Sequence, residues 1–480
     1  MDSSLMRGSS LAATYPRLNP RVRSAPARNA APDGDRRAAA FREHAPVYVR
    51  HPDKESLWRK GRLLVCDRPT GRCRCLVESA VGEHRGGMTE EVIVSGDAVF
   101  ARDINQPDAD VDNLMSGIAA DNDAAIVNLL RARYEHDGDK RIYTGCGADM
   151  ILSINPWEAL NPGSLTRADL GTGERAAAAA PPAVAAAAAW HAERRDAPHV
   201  WTLASAAIQG LRRCGGRRAH TICACGVSGS GKSNASELAL SYFAGALEWD
   251  GNGADALVCT RDVLESFGCA GTRRNPRSSR FTRMVEVLLH LLPGGETRVL
   301  GAQIDAFMLE RSRVHRVHPE PETNFLVFEQ LRAASSESPF GCLLPAAAIE
   351  DARRSEEFET LVAGLEKLGM PAETLQSVFR VVAGVQELSQ LSFGASSADE
   401  GTALSFDSSR VADLLGCPNS TLHELLGSRR IGSVNDSATV VVNFNAKQAR
   451  RSCNELAKSL YARLFAWLGR FMNGSMSPSG

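Results

Sequence analysis

The sequence predicts an α/β fold: a mostly parallel central sheet with helices on both faces, a largely helical section beside it, and a small β-barrel ahead of both. Three observations carry this. A short apolar run, Thr221–Cys225, leads into a Gly-rich loop and then a segment with Leu238, Tyr242 and Phe243 on one side. That is the strand, loop and helix order of an open α/β unit. Four short β-rich runs lie upstream, and long stretches with apolar residues at helical spacing lie downstream.

Taken in order, residues 1–45 are rich in Arg, Ala, Ser and Pro and predict a solvated tail rather than a targeting segment. Val47–Val49, Arg62–Val65, Cys75–Val77 and Val92–Val94 are strand candidates separated by turns such as Arg68-Pro69-Thr70-Gly71. They predict a barrel over residues 46–100. Between Ala119 and Tyr134 the residues Ile126, Leu129, Leu130 and Tyr134 predict a helix, and Met150–Ile154 predicts a strand stopped by Asn155-Pro156. An Ala-rich stretch interrupted by Pro181-Pro182 predicts an inserted surface loop over about 166–196. Helices are expected at Val200–Leu211, 355–390, 408–416 and 446–472. In the last, Ala449, Cys453, Leu456, Leu460, Leu464 and Leu468 form an apolar stripe suited to core packing.

Composition narrows the function classes. The chain has 480 residues, 44% of them hydrophobic, with a formal net charge of -1. No global field attracts nucleic acid or anionic lipid, and no apolar run is long enough to span a bilayer. Twelve Cys are scattered, with Cys73/Cys75 and Cys223/Cys225 as C-x-C pairs. The paired C-x2-C spacing of a zinc site is missing, so reduced thiols are expected.

The chemistry is concentrated in Gly226-Val227-Ser228-Gly229-Ser230-Gly231-Lys232-Ser233, which matches G-x-x-x-x-G-K-S/T at every fixed position. Glycines let backbone N–H groups curl toward phosphate oxygens, and the helix that follows aims its positive end at the same place. Lys232 is expected on the β- and γ-phosphates, and the Ser233 hydroxyl on Mg²⁺. The chain is therefore expected to be a P-loop NTPase. Downstream, Asn275-Pro276-Arg277-Ser278-Ser279-Arg280-Phe281 places two hydroxyls beside an Arg. One could complete Mg²⁺ coordination and the other handle an attacking water. Taken alone, the same triplet is a common polar turn.

These segments together resemble the myosin motor head family. Gly226–Asn234 is similar to G-E-S-G-A-G-K-T-E, and Asn275–Phe281 to the first switch, N-x-N-S-S-R-F. Leu264–Ala270 resembles L-E-A-F-G-N-A, and Gly301–Asp305 with Leu309–Val314 resembles G-A-x-I-x-x-Y-L-L-E-K-S-R-V. Leu129–Tyr134, Ile142–Thr144, Ile154–Trp157, Pro198–Trp201, Asn324–Leu331 and Ala457–Leu468 follow the family's order, so the likeness covers about 105–473. It implies a partial motor domain over 101–480 and an SH3-like barrel at 46–100.

The resemblance implies an actin-based motor ATPase that uses ATP and Mg²⁺, cytoplasmic and associated with the cytoskeleton. The implied partner is the actin filament, with light chains only on a longer chain, and neither nucleic acid nor a membrane span. Lys232 and the loop residues through Asn234 would hold phosphates, and Ser233 and Ser279 would ligate Mg²⁺. Ser278 would meet the attacking water or γ-phosphate, and Asn275 would reach the phosphates. Asn155 and Pro156 would lie by the adenine, and Arg280 would pair with a Glu of the second switch. That switch, D-I-x-G-F-E, is not in the 480 residues. A truncated motor is therefore expected, and hydrolysis by this stretch alone is not. The alternative is a nucleotide-binding pseudo-motor acting as a scaffold. A P-loop kinase or GTPase is disfavoured, since no acceptor site or N-K-x-D is found. Val227, Asn234, Arg277 and Thr282 replace family residues in the two motifs.

Overall fold

The computed structural model describes residues 42–50, 58–67, 69–78, 89–102, 112–114, 123–135, 141–157, 198–249, 253–292, 296–315, 321–335, 338–345, 352–394, 404–431 and 440–477. Of the expected tail over 1–45, residues 1–41 lie outside the described residues, as does the Ala-rich insert. Two compact units are present: residues 1–107 with 118–129, and residues 108–117 with 130–480.

The first unit is built on β1 (Pro46–Arg50), β2 (Trp58–Asp67), β3 (Arg72–Glu78), β4 (Thr89–Ser95) and β5 (Val99–Ala101). They form one antiparallel sheet in the order β4-β3-β2-β1-β5. Alternation drives it. In β3, Cys73, Cys75 and Val77 point inward, while Arg72, Arg74 and Glu78 face water. The inward set packs with Val47, Val49, Leu63, Val92, Val94 and Val99.

Helix α1 spans Asp123–Glu135, and the start of its expected pattern, 119–122, lies outside the described residues. Ala124 and Ala125 pack with Tyr48, Trp58 and Phe100. Its buried Arg133 donates to the Asp112 carboxylate at 2.9 Å and to the Tyr143 carbonyl at 3.1 Å. The short strands β6 (Tyr143–Gly145) and β7 (Ile151–Ser153) pair antiparallel.

The remaining elements are α2 (Val200–Arg213), α3 (Lys232–Ala246), β8 (Glu248–Trp249), α4 (Gly253–Gly268), β9 (Cys269–Ala270), β10 (Ser278–Ser279), β11 (Thr282–Leu291) and β12 (Thr297–Phe307). After these come α5 (Leu326–Arg332), α6 (Ala352–Lys367), α7 (Ala372–Gln390), α8 (Ser409–Leu415), α9 (Asn419–Gly427), β13 (Ser428–Ile431), β14 (Val440–Asn443) and α10 (Ala446–Met476).

The stretch 355–390 is two helices rather than one. Gly369, at φ +85°, ends α6 in the left-handed conformation, and Pro371 opens α7. Asn445 caps α10: its side chain accepts from Gln448 N, and the Gln448 side chain accepts from Asn445 N. The buried stripe of α10 is Ala449, Cys453, Ala457, Tyr461, Leu464, Leu468, Met472 and Met476. Leu456 and Leu460, expected in that stripe, flank it and are only partly buried. The 3.6-residue period moves the core line onto Ala457 and Tyr461. Tyr461 is fully buried, stacks on Phe325 at 4.9 Å between ring centroids, and donates its hydroxyl to the Phe267 carbonyl at 2.8 Å. Burial raises its pKa well above the ordinary tyrosine value.

The mostly parallel central sheet does not form among the described residues. The sheet nearest that description has the order β11-β12-β8, with β11 and β12 antiparallel and only β12 and β8 parallel. Thr221–Cys225, the expected strand before the Gly-rich loop, joins none of these sheets, and its residues are exposed. The run is apolar, but a ladder needs a neighbouring backbone at about 4.8 Å, and none of the described residues supplies one. On β11 no residue is buried, and Met284 and Leu288 are exposed.

Tyr461→Phe should keep the ring packing and leave the Phe267 carbonyl without its buried donor. The expected loss is about 1–2 kcal/mol, read as a lower urea midpoint with an unchanged slope. An unchanged midpoint would mean that this bond adds nothing to joining α10 and α4.

Candidate nucleotide site

The Gly-rich loop ends in a sharp turn into α3. Gly231 is the N-cap residue at φ +89°, and Gly229 sits at φ +81°. Side chains are strained in that region, so glycine is required. Space decides as well as torsion. A Cβ on Gly229 would come within 2.9 Å of the Trp157 ring, and one on Gly226 within 2.4 Å of Ser230 Oγ. The turn therefore presents backbone N–H groups at the N-terminus of a four-turn helix.

Lys232, the first residue of α3, folds its ammonium group back over the loop. Its Nζ donates to the carbonyls of Gly226 at 2.9 Å and Val227 at 2.8 Å. Asn155 braces the loop from the other side, donating from Nδ2 to the Gly229 carbonyl at 2.7 Å. Trp157 follows on an exposed left-handed turn, φ 57°, whose backbone N–H donates to Asn155 Oδ1.

The predicted metal hydroxyls meet. Ser233 Oγ on α3 and Ser279 Oγ on β10 are 3.1 Å apart, although 46 positions separate them in sequence. Strand β10 pairs with β9, with Ser278 opposite Ala270 and Ser279 opposite Cys269. Because neighbours on a strand face opposite ways, Ser278 is buried while Ser279 is exposed toward Ser233. Ser278 Oγ accepts from Arg280 Nη1 at 3.2 Å.

Salt bridges hold this first-switch segment. Arg280 Nε donates to Glu310 Oε2 at 2.5 Å. Arg277 joins Glu265 on α4 at 3.0 Å and Glu357 on α6 at 2.6 Å. Burial acts to raise the pKa of the Glu310 carboxyl, but the Arg280 hydrogen bond and charge, with Arg313 and Ser312, hold it below its ordinary 4.5. At Glu357, burial is likewise outweighed by Arg354, Gln330 and Arg277, and its pKa is also lowered. Farther along, Arg283 on β11 pairs with Glu237 on α3.

Arg280, expected to pair with a Glu of the second switch, is engaged here by Glu310. Asn275, expected on phosphate, accepts from the Arg277 backbone N–H at 2.9 Å and so closes its own turn. Pro156 extends the chain between Asn155 and Trp157. Val227, Ser228 and Asn234 are exposed, and Ser230 Oγ is buried without a hydrogen-bond partner. Glu310, Trp157 and the Arg277 carboxylates Glu265 and Glu357 escaped sequence reasoning. Three of them lay inside motif segments, Glu310 in Leu309–Val314, Glu265 in Leu264–Ala270 and Trp157 in Ile154–Trp157, while Glu357 carried no signal.

A hard cation with a phosphate fits these residues. The donor set is oxygen only, two hydroxyls in contact beside a cationic Lys, and the buried, unpartnered Ser230 hydroxyl lies within the loop itself.

Comparison with known proteins decides the family. The family model for the myosin head (motor domain) matches residues 112–479. The chain belongs to the myosin motor head family. It is 29% identical to Myosin-1 of Arabidopsis thaliana over 383 residues, covering 76% of this chain and 30% of that protein. It is 28% identical to unconventional myosin-Ib of Homo sapiens, covering 74% of this chain and 30% of that protein. For unconventional myosin-Vb of Rattus norvegicus the identity is 26%, over 77% of this chain and 19% of that protein. The chain thus spans less than a third of the length of these myosins.

The Arg280–Glu310 pair gives a pH prediction with a definite sign. A carboxyl with a lowered folded-state pKa adds stability that is present above its ordinary 4.5 and is lost as pH falls through the folded value. Glu310→Gln should therefore lower the urea midpoint at about pH 7 and flatten its decline below about pH 4.5. Parallel pH profiles for the two proteins would show the pair to be inert.

Proposed function

We propose that this chain binds a Mg²⁺–nucleoside triphosphate, ATP by family, as the nucleotide-gripping portion of an actin-based myosin motor. The observation that carries the proposal is the contact of Ser233 and Ser279 Oγ at 3.1 Å, directly beside the Gly-rich loop. A hydroxyl after the loop lysine and a hydroxyl from a separate strand make the two-sided oxygen clamp that a phosphate-bound Mg²⁺ requires. Bound there, the ion would neutralise phosphate charge. Lys232 would exchange the Gly226 and Val227 carbonyls for phosphate oxygens, and the loop N–H groups with Ser230 would complete the cradle. Asn155 and Trp157 would flank it on the base side.

In this proposal, residues 101–480 form part of a motor domain, with an SH3-like structural module at 46–100 ahead of it. Actin, and light chains on a longer chain, are partners by family, and a cytoskeletal location follows from the same reading.

One observation favours binding without turnover as the second reading. Phosphoryl transfer needs preorganised charge on both sides of the γ-phosphate. Arg280 already spends its Nε on Glu310 and its Nη1 on Ser278, so part of the charge that would face the γ-phosphate is committed within the protein. In that case the chain would be a nucleotide-responsive scaffold.

The test is Mg·ATP binding by the 480-residue chain, measured with a fluorescent ATP analogue beside a phosphate-release assay. Lys232→Ala should weaken binding at least tenfold, about 1.4 kcal/mol. Ser233→Ala and Ser279→Ala should each abolish the dependence of affinity on Mg²⁺. Phosphate release would favour the motor reading, and tight binding without release the scaffold. Lack of binding by a folded chain would overturn both.

A further inference from the structure

Cys66 and Cys73 lie outside the nucleotide site and have no role in the reading above. They stand directly opposite each other on the antiparallel pair β2–β3, flanked by Asp67 opposite Arg72 and Val65 opposite Arg74. Their sulfurs, both present as thiols, are 2.6 Å apart. That is inside non-bonded sulfur contact and near the bonded separation of about 2.05 Å. Opposed positions on paired strands also bring the Cα atoms to about 4.5–5.5 Å, within the range that a disulfide spans.

The surroundings favour this pair over its neighbours. Cys66 is half-buried and can be reached from solvent, whereas Cys73 is completely buried in the sheet core. Cys75 faces the same core, but the residue opposite it on β2 is Leu63, so no sulfur stands across from it. Burial, then the charge of Cys66, pushes the Cys75 thiol up to about 11, which keeps it protonated and unreactive. The other close pair, Cys223 and Cys225, has sulfurs 3.6 Å apart. Those residues are two apart in sequence, and among the described residues no strand pairing holds them opposite each other.

We infer that Cys66 and Cys73 are a thiol oxidation site that a peroxide converts to a cross-strand disulfide locking the β2–β3 hairpin. The Cys66 thiolate attacks one peroxide oxygen, the O–O bond breaks, and hydroxide leaves with the electron pair to become water on protonation. The resulting Cys66 sulfenic acid is then attacked at sulfur by Cys73. The S–O bond breaks, its oxygen leaves as a second water after taking up the Cys73 proton, and the S–S bond forms. Two thiols and one hydrogen peroxide thus give one disulfide and two waters.

The test uses the full chain, reduced, desalted and treated with one equivalent of hydrogen peroxide. Remaining thiols are then alkylated and the protein is digested with trypsin without reductant. Cleavage after Arg62, Arg72 and Arg74 separates all three barrel cysteines. The expected product is the Leu63–Arg72 peptide bonded to the Cys73-Arg74 dipeptide, with alkylatable thiols falling from the 12 of the sequence by two. Backbone amides of β2 and β3 should exchange several-fold more slowly after oxidation, and dithiothreitol should reverse this. Cys66→Ser, which nearly preserves side-chain shape, should fold, as checked by circular dichroism, and show neither the bond nor the slowed exchange. Bonding of Cys66 to Cys75, overoxidation of Cys66 without a bond, or slowed exchange that persists in Cys66→Ser would overturn the assignment.

Discussion

The candidate site depends on one constraint: the first-switch segment must be held rigidly enough that Ser279 stays against Ser233. A two-residue strand cannot do this alone. The β9–β10 ladder sets only which way the two serines point. Arginine–carboxylate pairs on either side fix the position, Arg277 between Glu265 and Glu357 and Arg280 on Glu310. These groups are partly buried, so their charges are less screened than surface pairs, and both Glu310 and Glu357 titrate below their ordinary range. Arg277, which departs from the family pattern, thus gains a structural role tying the loop to α4 and α6.

The helical core supplies the support beneath those anchors. Helix α10 runs past α4, and Tyr461 joins the two through its bond to the Phe267 carbonyl. Residues 265 and 267 lie on the same helix, so the element that carries one carboxylate partner of Arg277 is also packed by α10. Asn473 extends the same support to β12, exchanging hydrogen bonds with the Ile304 backbone at 2.8 and 3.0 Å. The phosphate side of the site is held differently. Its backbone enters through Thr221–Cys225, an extended run with no ladder among the described residues. One wall of the site is therefore cross-braced, while the other rests on α3, Asn155 and the Arg283–Glu237 pair.

Exposed Ile222, Val227, Met284 and Leu288 mark the surface that this arrangement leaves open. The five-stranded unit contrasts with it. There every strand finds a partner, and the inward residues close over one another.

The sequence by itself determined the local chemistry. The G-x-x-x-x-G-K-S/T spacing specifies a turn that only glycines permit at 229 and 231, and a lysine and a hydroxyl at the start of a helix. Local periodicity located most helices, and ordered motifs located the family. Long-range choices were not legible there. That Ser233 meets Ser279 could be inferred only from resemblance, and the Leu309–Val314 motif marked Glu310 without showing that Arg280 would be its partner. The break at Gly369 lies inside a stretch expected only to be helical, and its left-handed φ is a backbone feature that composition does not display. The mostly parallel sheet is not found among the described residues, because an apolar run states what a strand needs and not which neighbour it meets. Tertiary structure decided those points, because hydrogen-bond ladders and ion pairs depend on which distant backbone arrives alongside, and no local pattern encodes that.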